Sequence, residues 1–136
     1  MKNLTIKTSL LTMLLLGSAQ QAYSADINSS AREAGGMAGR FETVQKMMCK
    51  SISIPNIDKY IKANDKFFNS QSSYTASVYK TSRDRSKREF AFVLNNMKRK
   101  NPNALVKSPK IIIQCKKLDG EAKAQYDQLA MTGIYE

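Results

Sequence analysis

Two cysteines, Cys49 and Cys115, and a concentration of cations across residues 80–110 carry most of the chemistry in this 136-residue sequence. Histidine is absent, which removes the commonest general base near neutral pH. Serine triads, histidine-assisted thiol nucleophiles and histidine metal sites go with it. Two cysteines without histidine or a third thiol cannot complete a zinc site. On a small domain in an oxidising compartment such a pair reads as a disulfide, Cys49 to Cys115. In the chain-entropy model, closing so long a loop stabilises by roughly 4 kcal/mol, comparable to the low end of a small domain's net stability, about 5 kcal/mol.

The remaining candidates for catalysis are weak. Ser77 and Lys80 match the S-x-x-K spacing in which a lysine activates a serine, but there is no S-D-N companion and the chain is too short for that fold. Asp58 with Asp65, or Asp84 with Glu89, could supply paired acids for glycoside cleavage. At helical spacing they read instead as surface charges, with Asp84 an ion-pair partner among Arg83, Arg85, Lys87 and Arg88. No catalytic residue, metal ligand or cofactor is assigned, and the chain is expected not to be an enzyme.

The basic stretch says more. Net charge is +11 for the whole chain. Residues 80–117 hold twelve lysines and arginines against two acids, Asp84 and Glu89. An asymmetry of this kind draws anionic partners. The candidate partner-binding residues are Lys80, Arg83, Arg85, Lys87, Arg88, Lys98, Arg99 and Lys100, with Lys107 and Lys110 completing the region. On a helix, Arg83 with Lys87 and Arg85 with Arg88 line up one turn apart.

Which anion depends on compartment, and residues 1–24 address that. Lys2 and Lys7 precede an apolar run over residues 10–16, and the small residues Ala22 and Ser24 stand at positions three and one before a cut at Ala25. This is the pattern of a secretory signal peptide cleaved after Ser24, and it predicts a periplasmic or secreted product. The run is too short for a membrane anchor, which needs about 20 apolar residues, and no later window approaches that length. Export disfavours nucleic acid as the partner. It favours an acidic protein or an anionic envelope component.

The elements that position these residues follow from apolar periodicity. Residues 1–24 are the leader and residues 25–136 one helical domain. Ser29 or Ser30 is available to cap a first helix, whose apolar face is Met37, Phe41, Val44 and Met48. Gly35, Gly36 and Gly39 suggest a close approach by a neighbouring helix, or a kink; a phosphate-cradling loop would need the GxxxxGK[ST] spacing, which is missing. Pro55 opens a second helix over residues 55–68, with Ile57, Tyr60, Ile61, Asn64, Phe67 and Phe68 as its buried stripe. A third pattern runs from Tyr74 and Val78 to Phe90, Val93 and Met97. Its polar middle, residues 81–89, leaves open one long helix crossing solvent or two shorter ones. Residues 101–103 signal a turn and Ser108–Pro109 a helix start. Residues 111–115 carry three consecutive isoleucines that would suit a strand, but the helical face Ile112, Cys115 and Leu118 is favoured. Asp119 and Gly120 then interrupt, and a last short helix ends near Met131. Tyr74, Tyr79, Tyr126 and Tyr135 are expected in the core, their hydroxyls at the surface.

The result is an all-α bundle of four to six helices with one disulfide, following a signal peptide. The functional expectation is an exported, non-catalytic accessory protein of the envelope, in a setting such as a secretion or conjugation apparatus, that binds an acidic partner through residues 80–110. An immunity protein or inhibitor of a secreted toxin or enzyme is the first alternative, and a small toxin or weak enzyme acting on wall or membrane the second.

Overall fold

The computed structural model describes residues 26–131; the expected leader and Tyr135 lie outside them. Among the described residues the chain is all helical: α1 (Ile27–Met47), α2 (Pro55–Asn69), α3 (Ser73–Lys100) and α4 (Pro109–Met131). A disulfide joins Cys49 to Cys115, their Cα atoms 5.9 Å apart across a separation of 66 residues. No described helix is long and apolar enough to cross a membrane.

The expected first helix starts earlier than its apolar stripe. Asp26 is the N-cap, accepting from the Ser29 amide, so Ser29 and Ser30 lie inside the helix instead of capping it. The extra turns bury Ala31, Ala34 and Ala38, residues too small to stand out in an apolar pattern. α2 begins with Pro55 in its first turn, as expected. Its N-cap, Ile54, has no capping side chain. The missing acceptor comes from α4: buried Asp119 accepts from the Ile57 amide and from Asn56 Nδ2, both at 2.9 Å. A carboxylate at this end also complements the helix dipole.

That contact explains why the expected break at Asp119 and Gly120 does not occur. Asp119 is spent on α2, leaving its own helix intact, and a Cβ at Gly120 would meet open space, so no close contact there calls for glycine. Residues 111–115 are helical, started by Ser108 Oγ accepting from the Ile111 amide. The buried face is Ile111, Cys115, Asp119 and Ala122, rotated from the predicted Ile112, Cys115 and Leu118.

α3 is a single helix of 28 residues, about 42 Å long at 1.5 Å per residue. Its polar middle packs against α1. A Cβ at Gly35 would lie 2.4 Å from the Tyr79 carbonyl oxygen, and one at Gly39 would lie 2.4 Å from that of Arg83. The glycines therefore serve close helix approach, as their spacing suggested. Ser82 Oγ donates to the Arg32 carbonyl (2.5 Å) and Ser86 Oγ to the Gly36 carbonyl (2.6 Å), so hydroxyls fill the seam that apolar side chains would hold apart. Contacts rise together in number along both helices, Asn28 with Thr75 and Thr43 with Lys87, so α1 and α3 run parallel.

By the same test α2 and α4 run parallel, Ser53 meeting Lys116 and Ile57 meeting Asp119. α4 is antiparallel to α1, with Cys49 joined to Cys115 and Arg40 paired with Glu121. α3 and α4 do not pack on each other; they flank the α1–α2 pair. The core holds Phe41 edge-on to Tyr60 and Phe68 stacked on Tyr79. Tyr79 is thus a core tyrosine and Tyr126 packs partly against the core, but Tyr74 is 66% exposed, because Thr75 takes the position facing α1.

Candidate partner-binding face

The α3 seam places the expected binding cations in separate environments. Arg83 points inward. Its Nε and Nη2 both donate to Glu42 Oε1, at 3.0 and 2.5 Å, and its Nη1 pairs with Asp65 Oδ1. The Tyr79 hydroxyl donates to that same Asp65 oxygen at 2.6 Å. Lys87 reaches the other Glu42 oxygen at 3.1 Å, and Lys46 reaches it at 2.8 Å. Buried Glu42 is therefore shared by three cations.

The electrostatics follow from that geometry. Burial alone would raise the Glu42 pKa, but hydrogen bonds from Lys46, Arg83 and Lys87 outweigh it and hold the carboxyl at about 2. Burial works against the Arg83 charge, and Asp65 with Glu42 more than restores it, raising its pKa. Burial pushes the Tyr79 hydroxyl up, and its bond to Asp65 pushes it further, so it stays a neutral donor. Arg83 and Lys87 thus join α3 to α1, with Arg83 reaching α2 as well.

The other cations stay outside this cluster. Lys80 is exposed and pairs with Asp84 one turn on, at 3.0 Å. The Lys80 ammonium is thereby directed along α3 to a carboxylate, and that bond lowers the Asp84 pKa. Ser77 lines a shallow surface groove with Arg32, Val78, Thr81, Ser82 and Arg85. Asp58 pairs with Lys62 and Asp65 with Arg83, so these two acids are engaged separately. Among the described residues no cluster of three or more acids and cysteines is placed to hold a metal ion.

Arg85, Arg88, Lys98, Arg99 and Lys100 are exposed on α3 and form no ion pair among the described residues. Lys98, Arg99 and Lys100 occupy the last turn of the helix, where cations complement the exposed carbonyls. Two features escaped sequence reading. Glu42 is the hub of the ion cluster, and its local signals are its position beside Phe41 on a buried face and Lys46 one turn on. Phe92, Val93 and Met97 are exposed, although Val93 and Met97 belong to an apolar stripe that suggested packing. Comparison with protein-family models, with curated proteins and with solved structures gives no match to this chain.

Proposed function

We propose that the chain is an exported, non-catalytic interaction protein of the cell envelope, working in the periplasm or outside the cell, whose basic face captures an acidic partner or anionic envelope component. The observation that carries the reading is the division of cations along α3. Arg83 and Lys87 are bound to Glu42, whereas Arg85, Arg88, Lys98, Arg99 and Lys100 form no ion pair among the described residues. Cations left in this state attract anions at long range and speed association. The leader-like residues 1–24 supply the compartment in this reading, and the absence of histidine supplies its non-catalytic character.

The experiment separates the two groups of cations. Arg85→Glu, Arg88→Glu and Arg99→Glu together leave the Glu42 cluster intact, so the variant keeps its helical content and melting temperature. It loses retention of the anionic component captured from the envelope by the unaltered protein, identified by mass spectrometry and then tested in purified form. Capture that survives this triple reversal overturns the reading. Reversing Arg83 or Lys87 would not serve, because it sets a new carboxylate beside Glu42 and disrupts the fold itself.

A further inference from the structure

The face that α3 turns to α1 does not stop where α1 stops. Thr75, Tyr79, Ser82 and Ser86 meet α1, and the same helical spacing continues through Phe90 to Val93 and Met97. α1 ends at Met47, and Thr43 is already level with Lys87. Beyond that level α3 runs on to Lys100. Val93 and Met97 are the uncovered remainder of a packing stripe. Phe92, 66% exposed on the neighbouring face, lies one turn from Arg88.

The same end of the molecule carries two more exposed apolar side chains. Val106 precedes Lys107 in the segment leading back to α4, and Ile113, 68% exposed, lies within a turn of Lys110, Lys116 and Lys117. α4 is held at this end by the bond from Cys115 to Cys49, just past the end of α1. Across residues 88–117 the acid is Glu89 alone.

Two kinds of occupant suit an exposed apolar surface ringed by cations, a second copy of the chain or an anionic interface. A second copy would bring like charge against like charge. An anionic interface matches the charge at this end of the molecule. The apolar side chains there project from three elements, each flanked by long cationic side chains, an arrangement that suits a fluid interface and requires no single fitted contour.

We propose that this end of the molecule docks on an anionic lipid bilayer. Phe92, Val93, Met97, Val106 and Ile113 enter the headgroup region while the neighbouring lysines and arginines meet lipid phosphates. The proposal rests on the reading of a basic binding face given above and names its occupant.

The test is vesicle sedimentation of the disulfide-bonded protein without residues 1–24, whose apolar run would bind lipid by itself; the described core residues lie within the four helices and the segments between them. Vesicles of phosphatidylglycerol and phosphatidylethanolamine should carry the protein down, and vesicles of phosphatidylcholine should not. Phe92→Ser with Met97→Ser should weaken binding to the anionic vesicles about tenfold at unchanged charge, with circular dichroism and melting temperature preserved. Free glycerol phosphate should not compete. Equal binding to both vesicle types, or full binding by the serine variant, overturns the proposal. Failure to bind vesicles while an acidic envelope protein is still captured through Arg85, Arg88 and Arg99 also overturns it, and leaves the basic-face reading standing. Loss of both removes both.

Discussion

Glu42 shows how far a residue's role departs from its local sequence. Its helix supplies Lys46 one turn away, yet Arg83 and Lys87, more than forty positions away, converge on it as well. Its carboxyl sits at about 2 in the folded protein against 4.5 for the free side chain. A depressed carboxylate contributes stability that is fully present above pH 4.5 and lost as pH falls through 2. The shift corresponds to roughly 3 kcal/mol. Glu42→Gln should therefore cost about that much at pH 7 and nearly nothing near pH 2, as measured by urea denaturation at a series of pH values. Parallel stability curves for the two proteins would show that Glu42 is not the titrating group. Arg83 and Lys87 look from the sequence like members of the binding stretch, but the partner they meet lies within the chain.

At the scale of the element, the α1–α3 seam is governed by backbone distance. Gly35 and Gly39 meet the carbonyls of Tyr79 and Arg83, and only a missing Cβ permits that approach. A helical glycine normally costs about 1 kcal/mol relative to alanine, so alanine should help unless the space is filled. The two kinds of site give opposite signs. Gly120→Ala, with open space around the added methyl group, should stabilise by about 0.5–1 kcal/mol. Gly39→Ala must push a backbone away and should destabilise by roughly 1–3 kcal/mol. Thermal melts of the two variants check both signs, and stabilisation by Gly39→Ala would show that the helices can separate freely. The glycine spacing made this seam partly legible in the sequence. The polar residues 81–89 concealed it, because serine hydroxyls and an ion pair replaced the apolar side chains that usually mark a packed face.

At the scale of the whole molecule, the disulfide holds the least supported helix. α4 packs on α2, touches α1 little and α3 not at all, and the bond at Cys115 fastens it to the end of α1. Removing the bond with Cys49→Ala and Cys115→Ala should cost roughly 4 kcal/mol in urea denaturation. Hydrogen exchange should show the loss of protection concentrated in α4, while the α1–α3 seam keeps its own. Equal loss in α1 and α4 would mean that the bridge acts on the fold as one unit.

Some of this protein was settled by the sequence alone. Helix type and most helix starts depend on neighbours within a turn, so the apolar spacing of residues 55–68, Pro55, and Ser108 before Pro109 sufficed to place α2 and the start of α4. The disulfide was expected from an even pair of thiols behind a leader-like segment, with no histidine to give them another role, and the structure forms it. Other features were decided only when distant segments met. Asp119 and Gly120 read as a break because nothing nearby reveals that the α2 N-terminus takes up the carboxylate. The cations of α3 are equivalent on paper, and the structure separates them by which acids α1 and α2 bring within reach. Ion pairing and burial depend on distances across the fold, and those distances come from packing, which a linear pattern of residues does not contain.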